Sequence, residues 1–237
     1  MIKEIKKINT KPHCIGVILD GNRRWAKKNH KFIFQGHKVG YNKLKELIKW
    51  SKEAGIEYLI VYAFSTENWN RKKEEVDYLL NLARFVFGNS KESIRNEKIR
   101  VKCVGDIKRL PSDLQKNILE TEKISRNYDG ITLFVCVSYG GREEIIQAIK
   151  KLTEEKEKKE IAKLTEKDFS KYLYTSDMPD PDLIIRTSGE MRLSNFLPWQ
   201  SVYSELFFVQ DYWPDFSKNE FDKILFEYSN RVRRIGK

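Results

Sequence analysis

The sequence has 237 residues, of which 40% are hydrophobic, and this combination excludes an intrinsically disordered chain and suffices for a sizeable core. Its net charge of +11 indicates attraction to polyanions, which are nucleic acid, an anionic membrane face or phosphorylated small molecules, without choosing among them. No apolar run approaches the roughly 20 residues of a membrane-spanning helix, and the lysine-rich start lacks the apolar core of a signal peptide. We therefore expect a cytoplasmic protein.

Short apolar runs alternate with helical periodicities along the chain. The predicted strands are 14–19, 57–64, 99–104, 131–138, 182–186 and 205–209. The predicted helices are 23–28, 39–55, 72–97, 111–127, 143–152, 165–173 and a last one from 217 past 228, with a break in the third near 88–89. This alternation predicts an α/β fold with a mainly parallel six-stranded sheet flanked by helices, in one domain spanning residues 1–237.

The first predicted strand stops abruptly at Asp20-Gly21-Asn22. A carboxylate is thereby expected at the carboxyl end of a buried strand, beside the backbone N–H groups that open the next helix, which is a suitable place for an anion and a metal ion. Asp, Gly and Asn also suit a simple turn and helix cap, so these residues alone leave both interpretations open. Arg23 and Arg24 favour the anion, because cations at a helix N-terminus oppose its dipole.

Parallel strands bring their carboxyl ends to one edge of a sheet, where ligands bind. The segments expected there are 20–25, 65–71, 140–142 and 186–194. They contain several arginines, several hydroxyl groups and few carboxylates, which predicts a site for one or more diphosphates with a divalent cation.

Other signatures are missing from the sequence. It contains no G-x-G-x-x-G after a strand and no G-x-x-x-x-G-K-[ST], which argues against dinucleotide and nucleoside triphosphate sites. The three histidines have no metal-ligand spacing, and the three cysteines lie in separate apolar runs, typical of buried reduced thiols. The acidic residues in 177–182 alternate with prolines, which favours ordinary turn chemistry over a metal site.

Several short motifs occur along the chain, and the ordered set is more specific for a protein family than any single motif. They are Asp20 to Ala26 (DGNRRWA), Gly36-His37, Tyr62 to Arg71 (YAFSTENWNR), Ser138 to Arg142 (SYGGR), Ile185 to Gln200 (IRTSGEMRLSNFLPWQ) and Tyr203 to Leu206 (YSEL). This ordered set resembles the motifs of the cis-prenyltransferases, which include undecaprenyl and dehydrodolichyl diphosphate synthases. The resemblance extends from His13 to Gly236.

The resemblance implies the family fold, a requirement for Mg²⁺ as cofactor, and condensation of isopentenyl diphosphate with an allylic diphosphate such as farnesyl diphosphate into a polyprenyl diphosphate. By matching position, Asp20 would hold Mg²⁺ against the allylic diphosphate, Asn68 would assist proton removal, and Glu205 would be a further metal ligand. The residues implied to bind substrates are Gly21, Asn22, Arg23, Arg24, Trp25, His37, Ser65, Thr66, Glu67, Trp69, Arg71, Arg186, Arg192, Leu193 and Ser194. Among these, Arg186, Arg192 and Ser194 would hold isopentenyl diphosphate.

Two positions bear on how closely this chain follows the family. Ile33 stands where members commonly carry a phosphate-binding arginine, so the allylic diphosphate either binds more weakly or is held by Lys31 instead. The ending Arg234-Ile235-Gly236 matches the R-x-G sequence with which homodimeric members reach into the neighbouring subunit's site. We therefore expect a self-sufficient homodimer in which Arg234 and Gly236 contribute to substrate binding. The alternative is a basic tail without function.

Two other functions are each consistent with part of the sequence. A non-catalytic subunit of the same fold is disfavoured because Asp20, Asn68, Arg186 and Arg192 are all present. A nucleic-acid-binding protein would account for the charge and the aromatic residues, but its basic residues should form a continuous stripe, whereas the distinctive arginines fall at predicted strand ends. We expect no nucleic-acid partner.

The chemistry also implies a place of action and a product cavity. A long isoprenoid is insoluble in water, so we expect peripheral contact with an anionic membrane face through scattered lysines. Product length would depend on an apolar tunnel between the sheet and the long helix after Arg71, with Phe85, Val86 and Phe87 as candidate lining residues.

Overall fold

The computed structural model describes residues 11–231, so Arg234 and Gly236 lie outside the described residues. Six strands form one sheet: β1 (Cys14–Ile18), β2 (Tyr58–Ser65), β3 (Arg100–Val104), β4 (Thr132–Tyr139), β5 (Leu183–Arg186) and β6 (Glu205–Phe208). Their order is β3-β4-β2-β1-β5-β6, and every neighbouring pair is parallel. The predicted six-stranded parallel sheet is confirmed.

The helices within residues 11–231 are α1 (Asn22–Lys28), α2 (Ile33–Glu53), α3 (Lys73–Asn89), α4 (Lys91–Asn96), α5 (Ser112–Ser125), α6 (Gly141–Glu155), α7 (Lys158–Ile161), α8 (Glu166–Ser170) and α9 (Lys218–Asn230). The predicted break in the long third helix is confirmed, because α3 ends at Asn89 and α4 starts two residues later. In this part of the chain no helix has both the length and the hydropathy needed to cross a bilayer.

The sheet is buried on both faces, as its continuous apolar strands predict. Along β1, Ile15 and Val17 point into the larger core cluster, which also contains buried side chains of α2, α3, α5 and α9. Cys14 and Ile18 point to the opposite face, where they join a second cluster under the segment that contains Phe196 and Leu197. This alternation along one strand places β1 at the centre of the fold.

Helix α2 begins at Ile33, six residues before the predicted start at Val39. Gly36 and Gly40 both lie in the part of α2 that crosses α1. A Cβ atom on Gly36 would lie 2.3 Å from the backbone oxygen of Asn22, and one on Gly40 would lie 2.2 Å from its Oδ1 atom. The glycines therefore allow two helices to approach closely, and they place His37 on a helix that faces the carboxyl edge of the sheet.

Candidate active site

Asp20 lies just beyond the carboxyl end of β1, next to the end of β5, because Ile18 and Arg186 are register partners. Its backbone oxygen accepts hydrogen bonds from Thr187 Oγ1 at 2.7 Å and from the N–H of Trp213 at 2.9 Å. Its carboxylate is held by two guanidinium groups, with Oδ2 2.9 Å from Arg186 Nη2 and Oδ1 3.1 Å from Arg24 Nη2. The carboxylate is thus fixed at the predicted edge and points to the predicted arginines.

Arg186 connects this carboxylate to the loop that follows β5. Its side chain is only 5% exposed, and Nη1 donates to Ser194 Oγ at 2.7 Å and to the backbone oxygen of Arg192. Ser188, Ser194 and Asn195 adopt positive φ angles of 83°, 49° and 68°. Such conformations are unfavourable for residues other than glycine, so the surrounding contacts hold this loop in one shape around the guanidinium group.

Glu190 links two of the predicted arginines. Its Oε1 atom lies 2.8 Å from Arg24 Nη1 and its Oε2 atom lies 2.5 Å from Arg192 Nη1. Hydrogen bonds from Arg192 and Arg24 lower the pKa of Glu190, so the carboxylate stays ionised. Arg192 therefore belongs to the same chain of ion pairs as Asp20, although it does not line the cavity described below.

A second group of polar side chains at this edge comes from α1, α2, α3 and the residue Arg71 before α3. His37 Nε2 is 4.0 Å from Glu75 Oε1, and Glu75 is 2.6 Å from Arg71 Nη1 and 3.6 Å from Arg23 Nη1. Burial, together with the charges of Arg71 and Arg23, lowers the pKa of His37 to about 4 despite Glu75. The imidazole is therefore neutral at pH 7. Glu75 is a site residue that the sequence did not predict.

Buried polar atoms without a hydrogen-bond partner are concentrated here. Among the described residues there are six such atoms, and four belong to Asn22, His37, Arg186 and Ser188. Buried polar groups are normally paired, and each unpaired one costs about 1–3 kcal/mol. Their concentration at one edge is the property expected of a site that is completed by a polar ligand.

The predicted loop 65–71 forms a short 3₁₀ helix, Thr66–Asn70. Asn68 accepts a hydrogen bond from the N–H of Ser65 at 3.1 Å, which fixes its side chain at the start of this turn. Although partial burial alone would raise the pKa of Glu67, hydrogen bonds from Asn195 and from neighbouring groups lower it overall. The bond from Asn195 Nδ2 to Glu67 Oε1 is 2.9 Å long and joins this turn to the loop after β5.

A cavity of about 1450 Å³ opens at this edge and extends between the sheet and helices α2, α3 and α4. Predicted residues at its polar end are Asp20, Gly21, Asn22, Arg23, Arg24, His37, Ser65, Glu67, Asn68, Arg71, Arg186 and Ser194. The rest is mostly apolar, with Leu80, Ala83, Val86 and Phe87 from the helices and Leu133, Val135 and Val137 from β4. The predicted tunnel is present, but Phe85 is exposed and does not line it.

Several other predicted residues lie outside this cavity. Trp25 is buried, and its Nε1 atom donates to Asp215 Oδ1 at 2.6 Å, so it packs the far side of α1. Trp69 donates to Ser138 Oγ at 3.1 Å and supports the 3₁₀ turn. Thr66 and Leu193 are likewise absent from the lining. The structure therefore gives these four positions a supporting place around the site.

Glu205 is placed far from Asp20. It is the first residue of β6, at the amino end of the sheet, where it is the register partner of Leu183, whereas Asp20 follows the carboxyl end of β1. Its carboxylate lies 2.5 Å from Arg231 Nη1. Parallel strands keep their two ends apart, so within one chain Glu205 does not join Asp20 in a metal site. This position differs from the one implied by the family resemblance, in which Glu205 would be a further metal ligand.

The oxygen donors at the rim suit a metal ion that is bound partly by Asp20 and partly by the phosphate groups of a ligand. Within residues 11–231 no group of three or more His, Cys, Asp or Glu side chains could enclose a metal ion. Mg²⁺ in sites of this type is commonly held by one or two carboxylates together with substrate phosphates and water. Asp20, at the rim of the cavity, supplies one such carboxylate.

Comparisons with known proteins agree with this geometry. A family model described as "Putative undecaprenyl diphosphate synthase" matches residues 18–236. The chain belongs to this family. Isoprenyl transferase of Thermotoga maritima is 46% identical over 225 residues, covering 95% of this chain and 97% of the relative. This extent of similarity identifies the chain as a member of a prenyltransferase family along almost its whole length.

Two relatives differ in the allylic primer that their names specify. The geranylgeranyl-diphosphate-specific tritrans,polycis-undecaprenyl-diphosphate synthase of Picrophilus torridus is 43% identical and covers 100% of this chain and 94% of its own length. The (2E,6E)-farnesyl-diphosphate-specific ditrans,polycis-undecaprenyl-diphosphate synthase of Micrococcus luteus is 40% identical and covers 95% and 91%. The two identities are nearly equal, so overall similarity does not choose between the primers.

The fold of this chain also matches that of a solved structure. Lavandulyl diphosphate synthase from Lavandula x intermedia, in complex with dimethylallyl diphosphate, superposes with a TM-score of 0.90 at 33% identity, covering 96% of this chain and 99% of that one. The prediction of the family from its ordered motifs is thereby confirmed.

Proposed function

We propose that this chain is a Mg²⁺-dependent cis-prenyltransferase, with one catalytic domain, that adds isopentenyl diphosphate repeatedly to an allylic diphosphate and forms a polyprenyl diphosphate. The observation that carries the proposal is the position of Asp20. Its carboxylate lies between Arg24 and Arg186, at the rim of a deep apolar cavity. A diphosphate head can bind at the polar rim while its hydrocarbon tail occupies the cavity.

The first half of the reaction is the departure of diphosphate from the allylic carbon. The C1–O bond of the allylic substrate breaks, and negative charge develops on the leaving diphosphate. Arg23, Arg24, Asn22 and neutral His37 surround the rim and are the donors that we assign to this group. Mg²⁺, when held by Asp20, would stabilise the same charge as a Lewis acid. We assign Asp20 and the four donors to the allylic subsite.

The second half of the reaction forms the new carbon–carbon bond. The double bond of isopentenyl diphosphate attacks C1 of the allylic group through C4, and the proton on C2 is lost. Arg186, Ser194 and Arg192 are the residues that we assign to the isopentenyl diphosphate, because Arg186 bonds to Asp20, to Ser194 and to the backbone oxygen of Arg192. Holding both substrates side by side supplies much of the catalysis. We assign Asn68, fixed at the rim, to the path of the departing proton.

The direct test uses the purified chain alone, supplied with labelled isopentenyl diphosphate, an allylic diphosphate and Mg²⁺. The expected result is a series of prenyl diphosphates that differ by one C5 unit when analysed by mass. Absence of product from the chain alone, with product on addition of a partner chain, would assign it to a non-catalytic subunit. Salt-sensitive binding to an oligonucleotide without any response to diphosphates would overturn the proposal altogether.

The size of the cavity favours repeated elongation over a single condensation. Small-molecule sites usually enclose roughly 300–1,000 Å³. The cavity here encloses about 1450 Å³, and its far end is lined by apolar side chains of α4 and β3. Farnesyl and geranylgeranyl diphosphates should be offered in parallel as primers, because relatives with each specificity are similarly close. A single product only one C5 unit longer than its primer, C20 from farnesyl or C25 from geranylgeranyl diphosphate, would contradict chain elongation.

The edge strand β6 supports the proposal of a homodimer. Within residues 11–231 it pairs with β5 only, which leaves one of its edges free. Val202, Tyr203, Leu206 and Phe226 are large exposed side chains on this part of the molecule or on α9. Exposed apolar residues beside a free strand edge are features of an interface. We propose that a second copy of the chain pairs here.

The ending Arg234-Ile235-Gly236 is the part that we propose to act across this interface. Deletion of residues 234–237 should lower turnover strongly while the sedimentation coefficient and thermal unfolding of the protein stay unchanged. Arg231, which lies 2.5 Å from Glu205, is retained in the deletion variant, so the edge beneath the tail is preserved. Unaltered turnover of this variant would exclude a role of the tail in the site.

The product also determines where the protein must work. A polyprenyl chain released into water would aggregate, so we propose peripheral contact with an anionic membrane face, favoured by the net charge of +11.

A further inference from the structure

An exposed apolar segment lies at the start of α2, at the mouth of the cavity. Phe32, Ile33 and Phe34 are 70%, 42% and 46% exposed, and they are three successive residues. Ile33 also lines the cavity, so one end of the exposed surface is continuous with the cavity wall. We call Phe32, Ile33 and Phe34 the apolar tip.

The apolar tip is held in a defined shape. The N–H of Phe32 donates to Gln35 Oε1 at 3.0 Å, and the rings of Phe32 and Phe34 are stacked with centroids 5.4 Å apart. Tyr78 Oη, on α3, donates to the backbone oxygen of Phe34 at 2.8 Å. These contacts fix the segment against both its own helix and α3. Three large apolar side chains are therefore displayed to solvent by a stable arrangement.

The surroundings of the apolar tip are strongly basic. Residues 21–45 contain eight Lys and Arg and no Asp or Glu, so most of the net charge of +11 comes from this segment. The ammonium groups of Lys27, Lys28, Lys31 and Lys38 have no carboxylate within 4.0 Å among the described residues, and all four side chains are exposed. Exposed apolar residues next in sequence to lysines that no carboxylate neutralises are complementary to an anionic bilayer, in which fatty chains lie beneath negative head groups.

We propose that the apolar tip inserts into an anionic lipid bilayer and that the surrounding lysines bind its head groups. This inference rests on the proposed function for its purpose, which is to bring the cavity mouth to the membrane that receives the product. The insertion itself requires no turnover.

The test is sedimentation of the full chain with vesicles of phosphatidylcholine alone and with added phosphatidylglycerol, in the absence of substrates. The double variant Phe32→Ser/Phe34→Ser should bind the anionic vesicles at least tenfold more weakly than the unaltered chain, because exposed rings of this size gain most from leaving water. Leu119→Ser is the matched control, since Leu119 is 63% exposed on α5 and outside the basic segment. Its vesicle binding should be unchanged.

The charge contribution is tested separately with Lys28→Glu, compared with Lys159→Glu on α7. Only the first variant should weaken binding to anionic vesicles, and raised salt should remove the difference between the two.

Equal binding of the double serine variant and the unaltered chain would overturn insertion. Equal binding to neutral and anionic vesicles would overturn the role of the lysines. A smaller oligomer in the double variant, measured by ultracentrifugation without lipid, would assign the tip to a second copy of the chain instead.

Turnover distinguishes a failure of this inference from a failure of the proposed function. In detergent, with both diphosphates and Mg²⁺, the Phe32→Ser variant should keep the rate of the unaltered chain, since Phe32 does not line the cavity. Vesicle binding without any synthase activity would support insertion of the apolar tip and reject the proposed enzymatic function. Synthase activity without vesicle binding would support the proposed enzyme and reject insertion of the apolar tip.

Discussion

Replacement of Asp20 by asparagine separates the structural role of this residue from its proposed catalytic role. The backbone oxygen of residue 20 keeps its bonds from Thr187 and Trp213, and the side chain keeps its shape. What is lost is the negative charge between Arg186 and Arg24. A hydrogen bond to a charged group contributes about 1.5–3 kcal/mol when buried, as at Arg186, and the half-exposed Arg24 pair contributes about 1 kcal/mol or less.

We therefore expect Asp20→Asn to lower the free energy of unfolding by about 2–3 kcal/mol, and to leave the chain folded. Its turnover should fall on the order of a thousandfold, because the carboxylate proposed to hold Mg²⁺ is missing. Urea unfolding measures the first quantity, and steady-state rates at saturating diphosphates and Mg²⁺ measure the second. Asp215→Asn is the control, since Asp215 accepts from Trp25 outside the cavity. Turnover of Asp20→Asn within fivefold of the unaltered chain would refute the assignment.

Two further predictions concern the imidazole and the cavity. The pKa of His37 is lowered to about 4, so between pH 6.5 and 4 the unfolded chain binds a proton that the folded chain does not, and stability falls as the pH falls through this range. Relative to His37→Gln, the unaltered chain should lose about 3 kcal/mol between those pH values in urea unfolding; parallel curves would contradict the burial of a neutral imidazole. Ala83→Phe, which adds a ring inside the cavity, should shorten the products seen by mass analysis, whereas Phe85→Ala should not change them. Equal product lengths for both variants would show that the chain grows elsewhere.

The sheet was predictable because its strands are short apolar runs that end in polar residues. Burial on both faces removes the alternation of an exposed strand, and the run from Cys14 to Ile18 is wholly buried, as expected. The parallel arrangement then places Asp20 and Arg186 at one edge of the sheet, because both follow or end a strand at its carboxyl end. Their contact at 2.9 Å joins residues that are 166 positions apart in sequence. Topology alone accounts for that part of the site.

Other features depend on contacts that no local pattern records. Trp25 follows two site arginines in sequence, yet it turns to Asp215, which is 190 residues away. Glu75 had one local signal, since it lies four residues after Arg71, but its approach to Arg23 and His37 depends on the packing of α3 against α1 and α2. The family resemblance implies that Glu205 is a metal ligand, but its position at the amino end of β6 keeps it away from Asp20 within one chain.

The charges of the site explain why it is ordered before substrate binds and yet still requires an anion. Asp20, Glu75 and Glu190 are each within 4.0 Å of two guanidinium nitrogens from different residues. The five arginines involved exceed these three carboxylates in number, so the carboxylates position the arginines without neutralising them all. A bound diphosphate supplies the missing negative charge, and it can do so without a large rearrangement because the guanidinium groups already converge on one rim. Preorganised cations at the head and an apolar cavity beneath it are what a substrate with an ionised head and a growing hydrocarbon chain requires.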